Sequence, residues 1–140
     1  MLRFVLAWFV YTWGGLHRYF GIQNNVRREF EHAVRYFDRA LRLDPTFHRV
    51  RLERGVLLFR ELNRTEEALA DFDAILAEDE SFAPALFNRA MLHQQNGRFQ
   101  LALDDLNAYL QAAEPLPYRQ DAVRMVASLT ALLSEDGADD

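Results

Sequence analysis

The chain has 140 residues, 50% of them hydrophobic and 26% charged, with a net charge of −5 and no cysteine. That length fits one domain with ample material for a core, and the absence of cysteine excludes disulfide and thiolate chemistry. Residues 1–64 carry twelve Arg against six acidic residues, and residues 65–140 carry four Arg against fifteen. Such a dipole can steer a charged partner, whereas the overall acidity and the interleaving of Arg with Glu and Asp disfavour nucleic acid.

Residues 1–15 differ from the rest. No residue from Phe4 to Leu16 is charged, and Phe4, Trp8, Phe9, Tyr11 and Trp13 crowd the segment with aromatics. As a helix, this uncharged run would measure roughly 20 Å, short of the ~30 Å hydrocarbon core of a bilayer. Three readings stay open. The first is a short anchor or interfacial helix that places Trp8, Tyr11 and Trp13 at headgroup level. The second is an extra helix packed on the chain's own repeats or inside an obligate complex. The third is a signal peptide, against which stand the bulky aromatics and the lack of an Ala-x-Ala-like site. The first leads, with Phe4, Trp8, Phe9, Tyr11 and Trp13 as the membrane or partner contact. In a bilayer, Arg18, Arg27, Arg28 and Arg35 after the run outnumber Arg3 before it, which would leave the remainder in the cytoplasm. The expected location is therefore membrane-associated with a cytoplasmic remainder; the alternative is a soluble cytoplasmic protein.

Gly14-Gly15 is the expected joint to the domain at 16–133. Leu16–Asn24 reads as its opening helix. Glu29–Leu43 follows, with Phe30, Ala33, Val34, Phe37, Ala40 and Leu41 on one face, and Asp44-Pro45 ends it. Val50, Leu57 and Leu58 build the next helix, Asn63 supplies a turn, and Thr65 with Glu66 and Glu67 reads as a helix start with Thr65 as N-cap. Pro84–Leu110 is a helical hairpin. Its first helix carries Leu86, Ala90 and His93, Asn96-Gly97 breaks it, and Phe99, Ala102, Leu103, Leu106 and Leu110 restart the period. Pro117 opens a last helix whose apolar face is Ala122, Met125, Val126, Leu129 and Leu132 or Leu133, with Arg119, Asp121 and Arg124 facing water. Residues 134–140 form an acidic tail.

The pattern repeats. Gly21, Gly55 and Ala90 are spaced by 34 and 35 residues, and Ala33, Ala68 and Ala102 by 35 and 34. Phe37, Phe72 and Leu106 follow each of those alanines by four. With Phe30, Ala40 and Pro45 in the first copy, Ile75 in the second, and Gly97 and Phe99 in the third, residues 14–115 resemble the tetratricopeptide repeat family. The resemblance implies an all-α fold: a right-handed superhelix of about three helix pairs, a C-terminal capping helix, and the extra apolar helix in front. It also implies that Ala33, Ala68 and Ala102 are buried at close helix crossings.

Chemistry for catalysis is missing from the sequence. His17, His32, His48 and His93 fall in none of the usual metal-ligand spacings, so no metal site is expected. Asp71 with Asp73 and Asp104 with Asp105 look like paired carboxylates, but residues one or two apart on a helix point to different faces. No phosphate loop or nucleophile motif appears, so the chain reads as no enzyme, with no cofactor and no small-molecule substrate. The family resemblance places a binding groove on the first helix of each hairpin. Its positions here are Arg49, Leu52, Val56, Phe59 and Arg60, then Phe87, Asn88, Met91, Gln94 and Gln95. Phe59, Phe87 and Met91 are expected to be at least partly exposed there unless the N-terminal helix or a partner covers them. The family's carboxylate clamp maps to Arg18, Ile22, Glu53, Pro84 and Asn88, of which at most two suit a clamp. The expected function is a non-catalytic adaptor, tethered at a membrane, whose apolar groove holds a protein or peptide such as an amphipathic helix; the alternative is a soluble repeat module whose N-terminal helix packs on its own repeats or within an obligate complex.

Overall fold

The computed structural model describes residues 1–136. They form seven helices and no strand: α1 (Leu2–Asn24), α2 (Arg27–Leu43), α3 (His48–Arg60), α4 (Thr65–Glu78), α5 (Ala83–Gln95), α6 (Phe99–Gln111) and α7 (Arg119–Asp136). Two compact units divide the chain at Asp71 and Phe72. The expected alanines Ala33, Ala68 and Ala102 are each 0% exposed. Ala68→Leu is expected to destabilise the fold by roughly 1–3 kcal/mol through overpacking, measured by denaturant unfolding.

In the first unit, the expected joint at Gly14-Gly15 is no joint. Helix α1 runs through it unbroken for 23 residues and merges the apolar segment with the opening repeat helix. The reason is a seam of small residues. Ala7, Gly14 and Gly21 recur every seven positions and are all buried. A Cβ on Gly14 would lie 2.6 Å from the Phe37 ring, and one on Gly21 would lie 2.6 Å from the Phe30 ring. The two glycines thus seat two buried α2 aromatics, each contributing about 1.5–3 kcal/mol by its burial. Asn25, left-handed at φ 51°, closes α1, and α2 starts two residues later.

Helix α3 is tied to α2 and to the start of α4 by one guanidinium. Arg54 Nε and Nη2 donate to the two oxygens of Asp71 at 2.8 and 2.5 Å, and Nη1 donates to Asp38 at 2.6 Å. Burial pulls the Arg54 pKa down, but the bonds from Asp71 and Asp38 outweigh it and the net shift is upward. Thr65, expected as an N-cap, is the first helical residue of α4; the carbonyl of Arg64 before it accepts from the Ala68 amide at 3.1 Å.

The second unit repeats the same device. Arg89 donates to both oxygens of Asp105 at 2.8 and 2.7 Å and to Asp73 at 2.7 Å. Arg54 and Arg89 lie 35 apart, Asp38 and Asp73 35 apart, and Asp71 and Asp105 34 apart, so the ion cluster has the period of the repeat. Gly97, at φ +70°, ends α5 as expected, and the Arg98 amide returns to the His93 carbonyl at 2.9 Å. Helix α7 packs on α6 through Ala122 and Leu129, with Leu133 rather than the exposed Leu132 completing its inner face. It continues through Asp136, so 134–136 are helical rather than tail; residues 137–140 lie outside the described residues.

Candidate functional site

The inner faces of α1 and α3 enclose a cavity of about 180 Å³ in the first unit. Arg18, Ile22, Glu53, Val56, Leu57, Arg60 and Glu61 line it. Arg18 and Ile22 are one turn apart on α1, and Glu53, Val56 and Arg60 follow at helical spacing on α3, so each set shares a face. Glu53 is its electrostatic centre. The Tyr11 hydroxyl donates to Glu53 Oε1 at 2.6 Å, Arg49 Nε donates to the same oxygen at 3.3 Å, and Arg18 Nη2 lies 3.6 Å from Oε2. Burial first, and then the bond to Glu53, push the Tyr11 phenol upward, so it remains a donor at neutral pH. The bond that Arg49 donates to Glu53 likewise raises the Arg49 pKa.

Two buried polar atoms of residues that line this cavity make no hydrogen bond: Arg18 Nε, a donor, and Glu53 Oε2, an acceptor. Leaving buried polar groups unpaired costs about 1–3 kcal/mol each. One residue of an extended segment offers the complementary pair, with its carbonyl for Arg18 Nε and its N–H for Glu53 Oε2.

The groove positions carried over from the repeat phase divide between the units. In the first, Leu52 and Val56 are half-buried and Arg49 and Arg60 exposed, but Phe59 is only 9% exposed. In the second, Met91, Asn88 and Gln94 are half-buried and Gln95 is exposed, whereas Phe87 is 6% exposed. The expected exposure of Phe59 and Phe87 is therefore corrected. For Phe87 the cause is visible. Tyr118 stacks on it at 4.7 Å and 15°, Tyr109 leans on it at 5.2 Å, and the Tyr118 amide donates to the Tyr109 hydroxyl at 3.0 Å. The segment before α7 closes over this position and leaves an apolar cavity of about 70 Å³. Pro84 is exposed, and its carbonyl accepts from Asn88 Nδ2 at 2.8 Å.

Among residues 1–15 the reading of Tyr11 is also corrected. No helix of the described residues is long and apolar enough to cross a membrane. Tyr11, read as a headgroup-level aromatic, faces inward, with its ring 6.0 Å from Phe37 and 5.5 Å from Phe47. Phe4 reaches Phe47 at 5.9 Å with about half its surface still exposed. Trp8, Phe9 and Trp13 remain exposed, as does Phe20. Asp71 and Asp73 do point apart as expected, each serving a different arginine. What the sequence reading missed is the Glu53 network. Its signal was Tyr11, Arg18 and Glu53 on two different helices, linked only by the fold.

The sequence profile of the tetratricopeptide repeat family matches twice, over residues 26–81 and 58–117. The chain is similar to a DnaJ homolog subfamily C member 7 homolog of Schizosaccharomyces pombe, with 30% identity over 105 residues. The match takes in 71% of this chain but only 22% of that relative. It also resembles a tetratricopeptide repeat protein of Parabacteroides merdae, with a TM-score of 0.76 and 21% identity over 92% of this chain and 47% of the other. A further likeness, at a TM-score of 0.70 and 17% identity, covers 91% of this chain and 92% of the type III secretion chaperone SycD of Yersinia enterocolitica, which was solved in complex with a peptide of the translocator YopD.

Proposed function

The chain belongs to the tetratricopeptide repeat family, and on that premise we propose that it is a non-catalytic module holding a peptide segment between α1 and α3. The observation that carries this reading is the couple Arg18 Nε and Glu53 Oε2, neither hydrogen-bonded, beside a cavity lined by Ile22 and Val56. An extended segment satisfies both atoms with the N–H and C=O of one residue and rests an apolar side chain on Ile22 and Val56. The peptide complex of SycD supports a peptide as ligand class. The α1 contacts support a helix that builds this surface rather than a tether. A terminal carboxylate is disfavoured, because Glu53 stands at a clamp position, repels a second carboxylate and already engages Arg18 and Arg49.

The test is selection of displayed random peptides on the chain, followed by affinity measurement. Val56→Asp should weaken the selected peptides at least about tenfold, equivalent to 1.4 kcal/mol, with thermal unfolding little changed. Amidating the peptide C-terminus should change affinity by less than about twofold. A large loss on amidation would restore the carboxylate clamp. Undiminished capture by a folded Val56→Asp protein would move binding to another surface, first of all the exposed aromatic face of α1.

A further inference from the structure

The fold gathers three residues that the sequence keeps apart. Glu29 and His32 are three apart on α2 and share a face, and α1 brings His17 against them. The close approach of the two helices at Gly14 and Gly21 permits this. One donor atom from each of His17, Glu29 and His32 lies within 4.8 Å of the others. His17 Nδ1 and Glu29 Oε2 are hydrogen-bonded at 2.6 Å. The His17 and His32 rings meet edge to face at 5.1 Å, and the other side of His17 stacks on Tyr36 at 5.2 Å and 14°. The imidazole is thus held in place by neighbours on both sides.

We propose that His17, Glu29 and His32 form a binding site for a divalent transition-metal ion, zinc in the first place. Two imidazoles and a carboxylate are a donor set for zinc, which takes them at about 2.0–2.2 Å and accepts a solvent or anion as fourth ligand. Nickel and copper compete through the same nitrogen donors, whereas magnesium and calcium require oxygen shells that this cluster does not provide. All three side chains are partly exposed, so short rotations suffice to draw the donors in from 4.8 Å. The cluster borders a cavity of about 310 Å³ lined by His17, His32, Arg35, Tyr36 and Arg39. Arg39 lies over the Tyr36 ring at 5.7 Å. The two guanidiniums weaken the attraction for a bare cation and favour an anion at the open coordination position.

Calorimetric titration of the tag-free chain decides it. Zinc should bind at one ion per chain, magnesium should give no heat, and His17→Ala or His32→Ala should weaken zinc at least about tenfold. His48→Ala should leave the affinity unchanged. Independently of any variant's folding, zinc should shift the imidazole resonances of His17 and His32 in the wild-type chain while those of His48 and His93 stay in place. Absence of zinc binding, a response to magnesium equal to that to zinc, or binding that leaves the His17 and His32 resonances unmoved would overturn the site.

Discussion

Arg54→Met is expected to destabilise the fold by about 3–5 kcal/mol, the cost of leaving a buried charge without its partner. The charge in question is Asp71, whose side chain is 3% exposed and whose two oxygens are both taken by Arg54. Burial already pushes the Asp71 carboxyl upward against the pull of Arg54. Without the arginine it rises further. A group whose folded pKa is raised loses stability as pH climbs through that value, so the deficit of Arg54→Met should narrow when pH falls below about 4, where aspartate is protonated in both states. Arg54→Met combined with Asp71→Leu should recover most of the loss, because the double variant leaves no buried charge unpaired; Asp38, which also loses Arg54, is 37% exposed and reaches water. Denaturant unfolding of the two variants at neutral and acid pH measures all of this. A single variant as stable as the parent would mean that Asp71 is not buried as placed.

Half of that ion cluster could be read in advance. The aspartates stood out in pairs, and helical spacing said correctly that Asp71 and Asp73 diverge. Their partners could not be read, because Arg54 is 17 residues from Asp71 and 16 from Asp38, and only the stacking of α2, α3 and α4 brings them together. The repeat itself was legible because each copy buries a small residue at the same phase: Ala33, Ala68 and Ala102. Phe87 failed for the opposite reason. Its phase assigns it to the inner face, but Tyr118 comes from outside the repeat and covers it. Periodicity carries no information about such a lid.

The second large effect concerns the start of the chain. Gly14→Leu should destabilise by about 1–3 kcal/mol, since the new side chain would enter the space of Phe37, which is wholly buried and has no room to swing. Gly15→Ala should act with the opposite sign. Nothing lies within 4 Å of a Cβ at that position, so removing a helical glycine there stabilises by about 0.5–1 kcal/mol. Adjacent glycines with opposite responses distinguish a packed helix from a hinge, in which both substitutions would have similar effects. The sequence pointed to a hinge because Gly-Gly is a strong break signal. The spacing of Ala7, Gly14 and Gly21 was the contrary signal, and it pairs with Phe30 and Phe37 one heptad apart on α2.

The peptide surface and the histidine cluster both require α1 to be one helix of the repeat fold, docked on α2 along its length. Amide hydrogen exchange of the chain in plain buffer tests this most directly. Amides from Ala7 to Gly21 should be protected to the same degree as those of α2, with no interruption at Gly14-Gly15. Exchange at the rate of unstructured chain before Gly14, alongside protected α2 and α3, would contradict it.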